Sequence, residues 1–550
     1  MKLLIDKKMT YLRWPILVVT LLCCRFAVAQ VPVVTLGPAF EEPGDGWDKL
    51  MQLKNGNTVY LHFSKKGGLS VAMYNAQREL IVTDTVHTQQ WNSGDLESTE
   101  IDGIYEINGQ PVIFLQQLVK YNPVLYRLVL DAETGKLLRE DKLGELPSVQ
   151  HRSVFVDDNL ASHDIYVEKD PNSDYYAVAL FSGAAIQKND SIHERIQVLH
   201  FSPAHEMIHQ GWLYVADTSY SYFSYIHMAV TGREHVYLGT VAFNVKHGDG
   251  IAGPKVLFSI LSPDSASFSH HVLDYTAGAG NVGGYIQTVP DAALVRMLLY
   301  IPAKQKEGGS GIILNTFQAA NGKLKKHVQL TFPELARNME INLGYKEPYK
   351  GTPQRLLLNE DGSSTLLMEN LSFFKQGNSQ INKLHTNLGD IGIAQLDTAG
   401  RENTTMAVSK YQVITGVCEP FQLQRRAKSE WIFRNKIAAL NTNTWLSYDY
   451  ISRPSASFVL FNDYLQYLDT GGSDRVRKPL KFATDANFVC YRFYNGKMER
   501  LYLFGMPEVT KGYACMMGAA DYNARSGSYA TVLVSRKGTE RTAQIAWIKF

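Results

Sequence analysis

Cysteine is scarce in this sequence, since only five of the 550 residues are cysteines. Two of them lie in the N-terminal leader described below, which leaves Cys418, Cys490 and Cys515. Three cysteines exclude a disulfide framework and permit one bridge at most, and their spacing is not that of a zinc ligand set. Cys490 and Cys515 are the preferred pair, because both fall in neighbouring predicted strands. The alternative, which we favour, is three buried thiols that act as small apolar residues.

An excess of charge of either sign is also lacking. The 55 lysines and arginines oppose 53 aspartates and glutamates, which gives a net charge of +2. Such a balance marks no surface for nucleic acid or anionic lipid, so neither partner is expected. A content of 45% hydrophobic and 20% charged residues is that of a soluble globular protein.

Long apolar runs are confined to the N-terminus. Basic residues precede an apolar run at 15–24, and the small residues Ala27 and Ala29 stand before Gln30. This order is typical of a secretory signal peptide over residues 1–29. A membrane anchor is the alternative, but the run is shorter than the ~20 residues that a helix needs to span a bilayer. We expect a mature chain without a transmembrane segment, exported to the periplasm, the cell surface or the medium.

The stretch 124–142 (VLYRLVLDAETGKLLREDK) shows the dominant pattern of the remaining chain. Alternation over 124–130 places successive side chains on opposite faces of an extended strand. Residues 132–135 then form a polar turn, in which Gly135 suits a positive φ, and 136–141 return. The pattern predicts an antiparallel β-hairpin.

Eight hairpins of this kind fill the chain after the leader. They cover residues 69–84, 125–143, 196–214, 255–275, 311–330, 391–409, 488–505 and 530–550. Each of the first seven follows another pair of alternating runs, which breaks at a turn such as Asn55-Gly56 or Asn108-Gly109. Two hairpins in succession predict a four-stranded antiparallel sheet, so the sheet itself is the repeating unit.

Repeated four-stranded units in an all-β chain predict a β-propeller, because radial stacking covers both faces of each sheet. Strands that are apolar on both faces, as at 177–181, fit this arrangement. A string of β-sandwich domains is the alternative, but no proline- or serine-rich linker separates the units. The last unit has only three strands, so 31–36 (VPVVTL) is predicted to supply the fourth and close the ring. Eight blades follow, with seven as the alternative.

One stretch departs from the repeat. Residues 421–440 (FQLQRRAKSEWIFRNKIAAL) are basic and suit either a helix or a rim loop. We favour a solvated insertion, because runs of charge are usually solvated faces. The chain is therefore expected to form a single propeller domain from 30 to 550, with an irregular insertion around 415–445.

The sequence His205-Glu206-Met207-Ile208-His209 matches HExxH, in which two histidines bind zinc and the glutamate activates a water. These residues fall where the third hairpin turns and returns. In a strand, residues four apart are separated by about 13 Å, too far to share one ion. No third ligand is evident. We predict no metal, no cofactor and no catalytic residue, and keep a zinc peptidase using His205, Glu206 and His209 as the least favoured alternative.

Two further patterns are weaker. Residues 278–283 match GxGxxG, but a dinucleotide site needs a helix after this loop, and 285–289 suits a strand. Aromatic residues cluster in 219–227 (SYSYFSYIH) and 343–351 (LGYKEPYKG). On loops they would suit recognition of a ligand, although the first cluster suits the inner strand of a blade equally well.

The runs 125–141 (LYRLVLDAETGKLLRED), 391–402 (IGIAQLDTAGRE) and 488–504 (FVCYRFYNGKMERLYLF) make the chain resemble secreted bacterial β-propeller proteins. Blades in that group are loosely similar hairpins without a WD or Kelch signature. The resemblance implies the fold alone and assigns no functional residue. We expect an exported, non-enzymatic binding or scaffolding protein, monomeric, that presents loops to a protein or glycan partner. The alternative is a propeller hydrolase or lyase that acts on glycans at a central funnel.

Overall fold

A computed structural model describes residues 31–44, 46–147, 164–182, 196–215, 220, 222–243, 254–273, 282–289, 293–302, 311–359, 361–376, 383–425, 428, 444–464, 480, 486–506 and 511–550. Most of these residues form antiparallel strands, numbered β1 to β33 in chain order. The strands make eight sheets, each built on four antiparallel strands and arranged in a ring. The chain is an eight-bladed β-propeller, which confirms the prediction from the repeats.

Blades 1 to 7 each use four consecutive strands, of which the first is the inner strand and the fourth lies at the rim. Blades 1 to 4 contain β2 (Trp47–Gln52), β3 (Thr58–Ser64), β4 (Gly68–Tyr74), β5 (Leu80–Thr85); β6 (Thr99–Ile107), β7 (Gln110–Val119), β8 (Asn122–Leu130), β9 (Leu137–Glu145); β10 (Asp164–Lys169), β11 (Tyr176–Phe181), β12 (Ile196–Phe201), β13 (Met207–Trp212); β14 (Tyr222–Thr231), β15 (His235–Phe243), β16 (Lys255–Leu261) and β17 (Ser269–Leu273).

Blades 5 to 8 follow the same scheme, except that blade 8 takes its rim strand from the N-terminus. They contain β18 (Gly283–Val289), β19 (Leu294–Ile301), β20 (Gly311–Gln318), β21 (Leu324–Leu330); β22 (Thr352–Leu358), β23 (Ser364–Gln376), β24 (Lys383–Leu396), β25 (Glu402–Val408); β27 (Tyr448–Arg453), β28 (Ala456–Tyr464), β29 (Ala486–Tyr494), β30 (Lys497–Leu501); and β31 (Lys511–Asn523), β32 (Ser528–Lys537), β33 (Glu540–Lys549) with β1 (Val33–Phe40).

The core consists of layers between neighbouring blades. Val71 and Met73 of blade 1 share one buried cluster with Leu115 and Leu128 of blade 2. Each central strand therefore needs apolar side chains on both faces, because a blade lies on either side of it. The layered core explains why strict apolar and polar alternation is missing from central strands such as β8 and β11.

The hairpin at 124–142 forms as β8 and β9. The Asp131 carboxylate accepts hydrogen bonds from the N–H groups of Glu133 at 3.1 Å and Thr134 at 2.7 Å, and Gly135 takes φ 69°. A Cβ atom at Gly135 would lie 2.8 Å from Cγ1 of Val71 in blade 1. Glycine is needed twice at this turn, once for the left-handed backbone and once for the contact with the preceding blade.

The N-terminal strand closes the ring as predicted. β1 pairs antiparallel with β33, so that Val33 lies opposite Lys549 and Phe40 opposite Ala543. Glu42, just after β1, adds an ion pair with Arg541 at 3.2 Å. The closure provides a hydrogen-bonding partner for the edge that β33 would otherwise leave open.

Among the described residues, one α-helix and one extra strand lie outside the repeat pattern and were not predicted. The helix α1 (Pro333–Leu343) connects blades 5 and 6, and the Glu402 carboxylate accepts the N–H groups of Glu334 at 2.8 Å and Leu335 at 3.2 Å at its start. The strand β26 (Gln412–Thr415) pairs with the first half of β24. Both belong to blade 6 or its approach, which makes this blade the most elaborate of the ring.

All three cysteines of the predicted mature chain are free and buried. The pair Cys490 and Cys515 does not form a bridge, although both side chains lie in the same cluster between blades 7 and 8. Burial raises the pKa of each thiol above its usual value. The thiols therefore act as small apolar residues, which is the alternative favoured from the sequence.

Within the described ranges, no helix is both long enough and apolar enough to span a bilayer.

Candidate functional site

The HExxH residues lie in the β12–β13 hairpin. His205 occupies the turn with φ 66°, and His209 follows in β13, opposite His200 of β12. The Nδ1 atom of His205 lies 3.2 Å from the Tyr176 hydroxyl. Burial, aided by the charge of Arg127, lowers the pKa of His205 to about 4. His205 is therefore part of the packing between blades 2 and 3.

No group of three histidine, cysteine, aspartate or glutamate side chains is placed to hold a metal ion in the described part of the chain. Glu206 is exposed. The GxGxxG stretch lies mostly outside the described residues, and its last glycine, Gly283, begins the strand β18. Neither motif therefore sits on the helix that its chemistry requires.

The inner strands line the central channel, and its wall has two unlike arcs. The first arc is formed by blades 8 and 1. Every residue of β2, the inner strand of blade 1, is buried. Lys49 Nζ donates to the Ala520 carbonyl at 2.6 Å, and the Gln52 N–H donates to Asp521 Oδ2 at 2.8 Å. These side chains satisfy the inner edges of β2 and β31, which would otherwise be unpaired. We call the wall formed by β2 and β31 the packed arc.

On the other side, in blades 2 to 5, the inner strands carry polar and aromatic side chains that are only partly buried. Four tyrosines, one glutamate and one histidine make up this set. We call it the tyrosine wall, and its members are Tyr105, Tyr166, Glu168, Tyr225, His227 and Tyr285. Side chains that are partly exposed in the middle of the ring line a concave space, and ligands usually bind in such spaces.

The tyrosine wall is continuous from one blade to the next. The rings of Tyr166 and Tyr225 stack with centroids 3.6 Å apart and planes within 8°. Phe181 contacts both rings edge-on. The Tyr105 hydroxyl donates to the Val167 carbonyl at 3.1 Å. Side chains from blades 2, 3 and 4 therefore form one surface with fixed ring orientations.

Glu168 is the carboxylate of this surface, and a lysine about 260 residues later pairs with it. Lys428 Nζ lies 2.6 Å from Glu168 Oε1 and 3.0 Å from the Val167 carbonyl. Both charged side chains remain 18% exposed. The ammonium group is thus held by two oxygen acceptors and still has contact with solvent.

His227 connects Glu168 with the next blade. Its Nδ1 atom accepts the N–H of Ile286 at 3.3 Å, and its Nε2 atom lies 3.7 Å from Glu168 Oε1. The ring centroid is 4.3 Å from that of Tyr285. Burial lowers the pKa of His227 to about 4, and the charges of Lys428 and Arg425 add to the lowering while Glu168 opposes it. The imidazole is neutral at pH 7, with its proton on Nε2.

The tyrosine hydroxyls keep their protons. Burial, with the charge of Glu168, raises the pKa of Tyr105, Tyr225 and Tyr285. Each hydroxyl therefore keeps its proton at any physiological pH, and the Tyr105 hydroxyl already donates it to the Val167 carbonyl. The tyrosine wall offers ring faces, hydroxyl donors and one carboxylate, which is a combination suited to a polar ligand with apolar patches.

Lys428 belongs to the basic stretch that was predicted to be a solvated insertion. The prediction is wrong for the described start of this stretch, because Phe421 is buried between blades 5 and 6 and Leu423 between blades 6 and 7. Phe421 is 1% exposed, and its N–H donates to the Pro353 carbonyl at 2.8 Å. A short 3-10 turn over Gln422–Arg425 follows and packs against β22. Residues 429–443 lie outside the described ranges.

The sequence alone drew attention to only part of this surface. The aromatic cluster at 219–227 proves to lead into the inner strand β14, so Tyr225 lines the channel. The second cluster is internal packing, because the hydroxyls of Tyr345 and Tyr349 donate to Asp390. Glu168 and His227 were missed, although each is a charged or polar residue in the first strand of its repeat, and that position was the available signal.

No protein-family model matches this chain, and no curated protein is detectably similar to it in sequence. Similarity to solved structures is weak and comes with very low sequence identity. One from a study of two prolyl endopeptidases has a TM-score of 0.38 at 9% identity and covers 97% of this chain and 61% of that chain. An ulvan lyase, a polysaccharide lyase, has a TM-score of 0.37 at 10% identity and covers 86% of this chain and 100% of that chain.

The WD40 domain of SCAP from fission yeast has a TM-score of 0.34 at 7% identity and covers 94% of this chain and 98% of that chain. The three similar structures comprise two enzymes and a WD40 domain. Likeness at this level concerns the fold alone, because one fold serves many functions. The function has to be argued from the tyrosine wall.

Proposed function

We propose that this protein is an exported, non-enzymatic binding propeller that takes a glycan against the tyrosine wall of its channel. The observation that carries the proposal is the partial exposure of four tyrosines around Glu168 and His227. Export follows from the leader at residues 1–29, which lies outside the described residues.

A glycan suits the chemistry of this surface better than a purely apolar ligand does. Sugar rings present C–H faces that pack on aromatic rings and hydroxyls that need donors and acceptors. The stacked pair Tyr166 and Tyr225 offers a rigid aromatic face, and Tyr285 lies next along the wall. Glu168 can accept hydrogen bonds from sugar hydroxyls, and the Tyr285 hydroxyl, which its raised pKa keeps protonated, can donate one. Few but well-placed polar groups among rings are typical of a small-ligand site.

Binding is favoured over catalysis by the state of His227. A general base needs a free nitrogen lone pair within reach of its proton. Nδ1 of His227 already accepts the Ile286 N–H, and Nε2 carries the proton toward Glu168. Hydrolysis of a glycosidic bond by the usual route needs two carboxyl groups, and the other carboxylate of β10, Asp164, already accepts the Tyr166 hydroxyl at 3.1 Å.

A glycan lyase at the same surface is the second candidate. The specific observation that favours it is a neutral imidazole, His227, beside the protonated hydroxyls of Tyr225 and Tyr285. A β-elimination needs an unprotonated base and a protonated acid, and the imidazole and the hydroxyls are in these states. The lyase reaction would also require the His227 ring to release the Ile286 N–H when substrate binds.

The mature chain, residues 30–550, can be screened against an array of glycans and the hits measured by calorimetry. We expect Tyr285→Ala to weaken binding about tenfold, the size of one lost aromatic contact. Tyr121→Ala is the matched control, because Tyr121 is 51% exposed in the turn between β7 and β8. Equal affinity of both variants, with unchanged melting temperatures, would place the ligand elsewhere.

Incubation of each bound glycan with the protein separates the two candidates. Binding alone predicts an unchanged chain length and no unsaturated product, whereas a lyase generates unsaturated ends that absorb in the ultraviolet. Export is tested by fractionating cells that express the full chain and a chain without residues 2–29. Retention of both forms in the cytoplasm would contradict that part of the proposal.

A further inference from the structure

The Lys428 side chain reaches the channel and lies against the tyrosine wall. It follows a segment that is fixed elsewhere, since Phe421 is anchored between blades 5 and 6. The charge of Arg425, in the same segment, acts on both Tyr225 and His227. Two basic side chains from a distant part of the chain therefore lie against one surface in blades 3 and 4.

The contacts of Lys428 define a binding site for an ammonium group. Its Nζ atom has the Glu168 carboxylate at 2.6 Å and the Val167 carbonyl at 3.0 Å. The same carbonyl accepts the Tyr105 hydroxyl, and the hydroxyl of Tyr225 bonds to the Glu168 carboxylate. A carboxylate and a carbonyl, each fixed by a tyrosine, are preorganised for a primary ammonium group.

We infer that this ammonium site is the specificity pocket of the tyrosine wall, that Lys428 fills it in the free protein, and that the amino group of an unacetylated amino sugar displaces Lys428 on binding. The inference rests on the proposed function, which it narrows to amine-bearing glycans. An amino sugar is favoured because the acceptors lie directly beside the stacked rings of Tyr166 and Tyr225, where the sugar ring would pack.

Exchange of one ammonium group for another is feasible at this position. Lys428 and Glu168 each remain 18% exposed, so solvent and ligand can reach the pair. The incoming amine makes the contacts that Lys428 gives up, and the buried anchor at Phe421 need not move. Lys428 competes with the ligand at high effective concentration. The apparent affinity for the ligand is therefore the intrinsic affinity multiplied by the fraction of time that Lys428 leaves the site empty.

The test compares a chitosan oligosaccharide, which carries free amino groups, with the N-acetylated oligosaccharide of the same length. Calorimetry is run on the mature wild type, Lys428→Met and Glu168→Gln. Lys323→Met is the matched control, because Lys323 is an exposed lysine beside the turn before β21. We expect Lys428→Met to bind the free-amine form about tenfold more tightly than wild type, the gain expected when an occupant that fills the site nine-tenths of the time is removed.

The N-acetylated form should bind wild type and Lys428→Met equally, and Glu168→Gln should lose the preference for the free amine. An unchanged free-amine affinity in Lys428→Met overturns the inference, with or without a fall in melting temperature. Equal binding of a lysine-containing peptide would overturn the assignment to glycans. The proposed function fails separately, when neither oligosaccharide nor any other glycan binds to any variant.

A second readout uses no glycan. In Lys428→Ala, n-butylammonium should raise the melting temperature by filling the vacated site, whereas wild type and Lys323→Ala should not respond. No shift in Lys428→Ala at millimolar amine would contradict an ammonium site.

Discussion

Two lysine–glutamate pairs of this molecule have the same chemistry and opposite surroundings. In blade 6, Lys410 Nζ lies 2.5 Å from Glu369 Oε1, and both side chains are 0% exposed. In the channel, Lys428 and Glu168 are 2.6 Å apart and 18% exposed. The first pair is closed to solvent on all sides, whereas the second is open on one.

The closed pair is completed by other polar groups. Lys410 Nζ also donates to the Leu388 carbonyl at 3.0 Å and Gln412 Oε1 at 3.2 Å, and Ser447 Oγ donates to Glu369 at 2.7 Å. A buried charge requires such compensation, because its desolvation is costly. The open pair has fewer acceptors and stays in contact with solvent, so its partners can be exchanged. The difference shows how one ion pair can stabilise a blade from within while the other remains available to a ligand.

The largest expected effect comes from breaking the closed pair. Lys410→Met leaves the Glu369 carboxylate buried without its cation and should lower the free energy of unfolding by about 3–5 kcal/mol. Urea denaturation of this variant and of Lys323→Met measures the loss. Replacing both partners, in Lys410→Met with Glu369→Leu, should recover part of it. A loss below about 1 kcal/mol in Lys410→Met would mean that the pair is not closed.

A second, smaller loss of free energy of unfolding is expected at the packed arc. Asn462 is buried, accepts the Cys515 N–H at 3.0 Å and donates to the carbonyls of Cys515 at 2.7 Å and Trp445 at 2.8 Å. It completes the inner edge of β31. Asn462→Ala should cost about 2 kcal/mol, because it leaves buried backbone groups unpaired. The exposed Asn321→Ala is a comparison from a rim turn, and similar losses in both would contradict the edge role.

Acid should destabilise the folded protein, because three histidines are buried in their neutral form. Burial lowers the pKa of His200, His205 and His227 from 6.5 to about 4. The unfolded chain binds more protons between these values, so the free energy of unfolding is lost as pH falls from about 6.5 to 4. His227 faces Glu168, Tyr285, Lys428 and Arg425, and its share at pH 5 should be about 1 kcal/mol after screening.

Urea denaturation at pH 7.5 and pH 5 measures this dependence for wild type and His227→Gln. The variant should lose less free energy of unfolding on acidification than the wild type. The same slope in both proteins would show that His227 titrates normally in the folded state.

The smallest effect on stability is expected at the open pair. Lys428→Met should change the free energy of unfolding by less than about 1 kcal/mol, because partly exposed ion pairs contribute little. Denaturation alongside Lys410→Met gives the comparison directly. A loss as large as that of Lys410→Met would make Lys428 a structural residue and remove the basis for ligand exchange.

The blade pattern was open to prediction because its determinants are local. The turn glycines, as at Gly135, and the alternation of the flanking strands placed the hairpins and the His205 to His209 return strand. The spare N-terminal strand and the three-stranded last unit also implied β1 as the closing strand. The helix α1 was not implied by the repeat, since it lies in a connection between units.

The amino-acid sequence by itself determined the four-stranded unit, the pairing within each blade and the closing strand, because these depend on period-two patterns and turn residues close together in the chain. It favoured eight blades over seven. Only the tertiary structure decided the tyrosine wall, since its members come from four inner strands whose angular positions set the contacts. It also decided that Lys428 reaches Glu168 and that Lys410 is sealed with Glu369. Desolvation and charge pairing act between residues far apart in sequence, and a linear pattern carries no record of them.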